Sequence, residues 1–451
     1  MQTRKMLAVL CAAVPLVLSA CASGNEGSNA SSPPKESASN SASPSASAKP
    51  ASKEMNFDMG GRVIKWASWY DEKIVEDNPD GIKRKAVLDA LMKKHNFSIE
   101  YVVVDYGQYK DKVTASLIAG EPLGDIVRVA RPWMIPSLTK RDLFWPLDQY
   151  TTNEKVFLKQ YTKEYSFYDG KGYGFRSGNI GAGYGIIYNR TLANKLGMKP
   201  LQDYVKDNKW TWDSFIQVAK EANKDTNNDG KMDTFGLASN SILSGALGSN
   251  NANLVYNDKQ GLDDPKTLEV LNFISKMVTE NVARPTEGGG SAEIAQFFKQ
   301  GNTLMVAGAE YEYDSYKKDM ADYDLGFLPF PKGPSATQYQ SFVTIPNYLT
   351  VPKAVKNPEQ LVYIFEKLNE IESIYDYPQQ AAFEKRWSNP DDINNAKLAI
   401  TTIKALDGKD GYPSMPYYEF VGDLRNGTSV STLVEKYKAQ FQSSIDEVWK
   451  K

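Results

Sequence analysis

The chain has 451 residues, 41% hydrophobic and 12% aromatic, which is enough to bury a large core and, at ordinary domain size, to build two or three domains. Its 53 basic and 55 acidic residues nearly cancel, which excludes the strong positive field of a nucleic-acid reader.

The first segment is processed rather than folded. Arg4 and Lys5 precede the apolar run MLAVLCAAVPLVLSA, which is too short to span a bilayer comfortably and has the layout of a secretory signal over residues 1–20. It ends in Leu18-Ser19-Ala20-Cys21, which resembles the bacterial lipobox. That resemblance implies that Cys21 is lipidated and becomes the mature N-terminus, anchoring the chain on the outer face of the cell membrane. Cleavage leaves 51 basic against 55 acidic residues, a formal charge of −4, and no second cysteine for a disulfide. Residues 22–54 contain no aromatic residue and no Val, Ile, Leu or Met, too little apolar surface to offset ordering entropy. Residues 21–58 therefore read as a lipidated cysteine plus a disordered tether, with a reach on the order of 30 Å.

Order begins at about Met59. RVIKW (62–66) predicts a strand, and 82–96 a helix with Val87, Ala90 and Leu91 at helical spacing. SIEYVVVD (98–105) is a second strand, 107–120 a second helix stopped by Gly120, and DIVRVA (125–130) a third strand. This β-α-β-α-β alternation implies a parallel sheet with right-handed crossovers, and ligands bind beyond the carboxyl ends of such strands. Trp66, Trp69, Tyr70 and Asp71 follow the first strand, Asp105 and Tyr106 the second, Arg131 and Trp133 the third.

TWDSFIQVAKEANK (211–224) predicts a helix with Thr211 as N-cap and Phe215, Val218, Ala219 and Ala222 on one stripe. The loop after it places Asp225, Asn227, Asp229 and Asp233 on alternate positions around Gly230, and a carbonyl at Lys231 takes the seventh place of an EF-hand-like count. Clustered carboxylates are costly without a cation, so the spacing points to structural Ca2+ held by Asp225, Asn227, Asp229, Lys231, Asp233 and Thr234. The twelfth position is Gly236 rather than a bidentate glutamate, and TFGLA reads as a strand, so this is not a helix-loop-helix sensor. The other reading is an Asn/Asp/Gly-rich turn.

ASLIAGEPLGDIV with LFWPLDQY, the Tyr-Asn to Thr-Trp-Asp stretch from Gly183 to Ala222, FFKQGNTLMVAGAEYEYDSY and DLGFLPFPKGPSA occur in that order. Together they resemble family 1 extracellular solute-binding proteins of ABC importers. The resemblance implies an α/β, two-lobed periplasmic-binding-protein-like fold of type II with a ligand cleft between the lobes. It places the first lobe at 59–180 plus 343–405 and the second at 184–338 plus 411–451, with crossings near 180–184, 338–343 and 404–412. The closing helix would pack on its lobe through Val434, Tyr437, Phe441, Ile445 and Val448. The calcium-like loop then braces the second lobe.

The same resemblance implies capture of a carbohydrate, an oligosaccharide, by a lipid-anchored monomer that delivers it to ABC permease subunits with their ATPase on the cytoplasmic side. Sugars rest C–H faces on aromatic rings and need planar polar partners for their hydroxyls. The expected lining is Trp69, Tyr70, Trp133, Tyr311 and Tyr417 with Asp105, Arg131, Asn179 and Asn347; by resemblance, Tyr311 stands where related sugar binders place a stacking ring.

No enzyme is expected. His95, the single histidine, lies between Lys94 and Asn96 at a helix end and reads as a surface or C-cap residue. Lipidation leaves no free thiol for a Cys-His pair, one histidine cannot build a His-clustered zinc site, and no nucleotide-binding Gly-x-x-x-x-Gly-Lys-Ser/Thr loop is present. A carboxylate-based polysaccharide-degrading enzyme remains the alternative, with Glu310 and Glu312 alternating with Tyr311 and Tyr313 at a strand end, as does a same-fold binder of a non-sugar solute.

Overall fold

The computed structural model describes residues 54–450 other than 180, 240, 241, 288, 289, 344, 345 and 406–408. The leader, Cys21, the tether up to 53 and parts of two crossings lie outside these residues. β1 (Arg62–Ser68), α1 (Pro79–His95), β2 (Phe97–Val103), α2 (Tyr106–Ile118) and β3 (Ile126–Ala130) form the alternation read from the sequence. β1 pairs in parallel with β2 on one side and β3 on the other, Trp66 opposing both Tyr101 and Ile126. A short helix, α3 (Arg131–Met134), follows β3.

The ends of α1 follow local chemistry. Asn78 caps its N-terminus by accepting from the Asp80 and Gly81 amides, Pro79 opens its first turn, and Asn96 ends it at φ +52°. Its buried face is not the expected one. Val87 and Ala90 are exposed, and Leu88, Leu91 and His95 point inward. His95 corrects the surface reading: it is fully buried, stacked on Phe57 at 4.1 Å, with Nδ1 2.9 Å from the Phe57 carbonyl. The reason lies in residues 54–58, which by composition read as part of the tether. Met55 and Phe57 pack on the first core, and Glu54 meets Lys94 and Lys367 at 2.9 and 2.7 Å. Those bonds, Lys367 first and then Lys94 and Tyr363, hold the Glu54 carboxyl down at about 2.

The second sheet contains β4 (Tyr184–Asn189), β5 (Phe235–Ala238), β6 (Thr303–Ala309) and β7 (Leu325–Pro329), in the spatial order β7-β4-β6-β5. α4 (Trp212–Ala222) covers it, starting from a Thr211–Ser214 capping box and burying Phe215, Val218, Ala219 and Ala222 as the stripe predicts. α5 (Glu312–Asp319) follows β6 with two residues, Glu310 and Tyr311, between them.

The chain then recrosses. β8 (Ser341–Val343) is followed by β9 (Asn347–Thr350), which joins the first sheet antiparallel to β3. α6 (Pro358–Asn369) packs on the first sheet's core, but α7 (Gln380–Arg386) and α8 (Pro390–Thr401) turn to the second sheet. Asp392 of α8, 1% exposed, accepts from Arg190 at 3.0 Å, the Phe327 amide at 3.0 Å and Gln202 at 2.9 Å. The stretch 343–405 thus packs partly on each sheet, Asp392 and Asn395 meeting the amide and carbonyl of Phe327 on β7 as well as Arg190 and Gln202.

β10 (Ile403–Ala405) pairs in parallel with β8, so two crossings share a ribbon. The third, at 181–184, lies against it: Ser341 Oγ accepts from the Tyr184 amide at 2.7 Å and donates to the Tyr184 carbonyl at 2.8 Å. α9 (Val430–Trp449) closes the chain, with Leu433, Tyr437, Phe441 and Ile445 buried in the second core and Val434 and Val448 packed at its margin.

Candidate ligand-binding cleft

The carboxyl ends of β1 and β3 carry an aromatic group organised around Trp69. Its ring lies edge-on to Tyr109 at 5.3 Å, Trp133 at 5.4 Å, Tyr106 at 5.8 Å and Tyr70 at 6.0 Å. Tyr109 is fully buried and bonds the Ala67 carbonyl, which makes it the floor. Tyr70 and Tyr106 are about half exposed, at 44% and 50%, and form the accessible rim. Trp133 is accessible only at an edge, being 9% exposed.

Arg128, in the middle of β3, holds this group from beneath. It is 6% exposed, ion-paired with Glu72, and donates to Asn347 Oδ1 at 2.7 Å. Its guanidinium carbon stands 4.9 Å from the Tyr70 ring centre and 5.9 Å from that of Trp69. Asn347 also accepts through its carbonyl from Arg176 at 2.8 Å. The structure thus assembles Trp69, Tyr70, Trp133 and Asn347, and adds Arg128, Glu72 and Tyr106. A signal for Arg128 is present in the sequence: a guanidinium inside the apolar run IVRVA must be paired if that strand is buried.

The other expected residues are placed differently. Asp105 caps α2 through the Gly107 amide, and Asn179 accepts from the Gly181 amide within a turn. Arg131 donates to the Phe167 carbonyl at 3.5 Å. Tyr417 is packed at the margin of the second core beside Ser244, and its neighbour Tyr418 is the accessible ring, 70% exposed with Lys409 Nζ at 5.2 Å. Helical phase separates the two tyrosines, which adjacency in sequence could not. Burial and then Asp410 raise the Tyr106 phenol while Lys409 lowers it, so the 409–410 segment lies within coulombic reach of the first sheet's rim.

Tyr311 is 53% exposed at the start of α5, and its phenol bonds that of Tyr184, whose ring stacks on Phe342 at 4.5 Å. Glu310 and Glu312 do not alternate along a strand, because β6 ends at Ala309. Glu310, 2% exposed, accepts from the Gly183 amide at 2.9 Å while its own amide donates to the Gly183 carbonyl at 2.9 Å. Burial pushes its carboxyl up to about 7, against the pull of Arg386. Glu312 accepts from the Ala309 amide at 2.7 Å.

In the calcium-like loop the side chains turn onto the loop's own amides. Asp225 accepts from Gly230 at 2.8 Å, Asn227 from Asp229 at 2.8 Å, Asp229 from Lys231 at 2.9 Å, and Asp233 from Thr226 at 2.7 Å. Asn228 and Gly230 take left-handed φ of +60° and +85°, which makes the turn sharp. Thr234 is not free to serve as a ligand side chain, since its hydroxyl is buried against the Ala222 carbonyl at 2.7 Å. A glutamate at position 236 has no room: a Cβ there would stand 1.9 Å from the Ala219 carbonyl oxygen of α4. Among the described residues, no group of three or more His, Cys, Asp or Glu side chains is gathered as a metal cage.

Also among the described residues, no helix is long and apolar enough to cross a membrane. Several solved structures share the fold. M. tuberculosis UspC matches with a TM-score of 0.62 at 14% identity, over 85% of this chain and 100% of that one. The sugar-binding protein MalE from Xanthomonas citri matches at 0.61 and 13% identity, over 85% and 98%. By sequence the chain is 29% identical over 212 residues to an arabinooligosaccharide-binding protein of Bacillus subtilis, and that match spans 46% of each protein, about half the relative's length. The model of the bacterial extracellular solute-binding protein family matches residues 76–367, more than half of the chain, and the chain belongs to that family.

Proposed function

We propose that this protein captures an oligosaccharide between its two sheets and delivers it to the permease of an ABC importer whose ATPase acts on the cytoplasmic side. The observation that carries this reading is the ring platform of Trp69, Tyr70, Tyr106 and Trp133, fixed by Arg128 at the carboxyl edge of the first sheet. Rings held edge to face present surfaces for the C–H faces of sugars, and neighbouring planar polar groups suit hydroxyls. Tyr311 supplies a ring from the second lobe. Closure is then a population shift, favoured because the ligand bridges both lobes only when they meet.

Residues 1–20 serve as the export signal, Cys21 as the lipid anchor, and the chain works as a monomer. Hydrolysis has less support, since Glu310 and Glu312 each accept a backbone amide and do not stand as an accessible acid/base pair. Calorimetry on the chain lacking residues 1–21, against neutral arabino-, malto- and manno-oligosaccharides and acidic oligogalacturonates and oligoglucuronates, tests the reading. Saturable binding without cleavage products is expected; silence across the panel, or turnover, would refute it.

The loop 225–234 takes Ca2+ through the side chains of Asp225, Asn227, Asp229 and Asp233 and the Lys231 carbonyl. These carboxylates accept two or three bonds each, which leaves at least one lone pair apiece for a hard cation. A ligand at one hundred times its Kd stabilises the folded state by about 2.7 kcal/mol, so calcium should raise the melting temperature by several degrees over chelator. An unchanged midpoint would leave the loop an ordinary turn.

A further inference from the structure

A pocket of about 480 Å³ opens beside Trp133, between α2 and residues 132–141 on one wall and residues 410–414 with the end of α9 on the other. Its charges are unevenly paired. Lys140 donates to the Trp449 carbonyl at 2.5 Å, a cation at a helix C-terminus, and is satisfied there. Lys110, half-buried on α2, and the exposed Arg141 have no ion-pair or hydrogen-bond partner for their side chains among the described residues. Of the acids opposite, Asp410 pairs with Lys409 at 3.1 Å, and Glu447 accepts from the Ser414 hydroxyl at 2.8 Å and keeps its charge, so Lys110, Lys140 and Arg141 outnumber the acids of the lining. A locally cationic wall therefore stands in a chain whose formal charge is −2.

We propose that this pocket is an anion-recognising subsite of the cleft, in which Lys110 and Arg141 bind the carboxylate of a uronic acid residue of the captured glycan. The inference rests on the oligosaccharide reading and adds the charge of the substrate. Closing the lobes over a neutral sugar would strip water from two cations that no ion pair holds, which is unfavourable. A carboxylate placed between them turns the same closure into charge-assisted hydrogen bonding, with the guanidinium offering its two-pronged fork. The volume lies within the range of small-molecule sites.

The test compares oligogalacturonates and oligoglucuronates of two to four residues with their methyl esters, and with neutral oligosaccharides, by calorimetry on the full mature chain. The acid should bind about tenfold more tightly than its ester, with the advantage shrinking as salt rises. Lys110→Ala and Arg141→Ala should each bring the acid-to-ester ratio toward one, while melting temperatures, measured in parallel, stay near wild type because both side chains lie at the pocket surface. Equal affinity for acid and ester, or binding of neutral sugars only, overturns the proposal and leaves the oligosaccharide reading standing. Failure of every oligosaccharide overturns both.

Discussion

Replacing Arg128 with alanine tests how the ring platform is held. The ion pair with Glu72 is nearly sealed, the two side chains being 7% and 13% exposed, and the same guanidinium satisfies Asn347 Oδ1. Breaking one partner of a buried pair costs about 3–5 kcal/mol, because the other charge stays behind without compensation. The residual exposure of Glu72 puts Arg128→Ala near the lower end, about 3 kcal/mol. Glu72→Gln leaves a neutral acceptor and should cost less, about 1–2 kcal/mol, and the double substitution should show coupling of about 2 kcal/mol. Urea unfolding followed by tryptophan fluorescence measures all three. Affinity is the second readout: Tyr70 and Trp69 lose the cation against their rings and the brace that sets their angle, so oligosaccharide binding should weaken about tenfold in buffer where the variant remains folded. Arg128→Ala within about 0.5 kcal/mol of wild type, or strictly additive losses, would refute the anchoring argument. A large stability loss with unchanged affinity would refute its link to the ligand.

The buried Glu310 makes stability depend on pH. Its carboxyl is raised from the ordinary 4.5 to about 7, chiefly by burial, so between those values the folded state holds the proton that the unfolded chain has released. Stability contributed by that proton is present below about 4.5 and is lost as pH rises to about 7, a change on the order of 3 kcal/mol; Glu310→Gln should flatten the slope. A slope that survives the substitution assigns it to other groups. Tyr311→Ala removes an exposed ring and should weaken ligand binding about fivefold to tenfold with little change in melting temperature. Tyr311→Phe keeps the face, loses the Tyr184 bond, and should fall between; equal affinities in all three would place the ligand away from this ring.

Several features are legible in the sequence because their physics is local. The β-α-β-α-β run, the Thr211 cap, the buried stripe of the helix after it and the face of α9 follow from the spacing of apolar residues and from capping chemistry within a few positions. The glycine at position 236 is visible as a departure from the calcium-loop pattern, but its cause, the carbonyl of Ala219 packed against that strand, is a tertiary contact. His95 reads as a surface residue because the side chain that buries it, Phe57, lies 38 positions away in a stretch whose composition resembles a tether. Glu310 reads as part of a strand because nothing local shows that its carboxylate is claimed by Gly183, 127 residues earlier.

Residue type and short-range order are enough to specify the family, the α/β alternation and the clustering of rings after the first three strands. Which of those rings are accessible depends on the assembled fold, with Tyr70 and Tyr106 at the surface and Tyr109 beneath them. The support that Arg128 gives the platform, and the division of the segment 343–405 between two sheets, depend on it as well. Each of those outcomes requires partners far apart in the chain to meet in a particular register, and a buried charge or a half-buried ring goes wherever its distant partner stands.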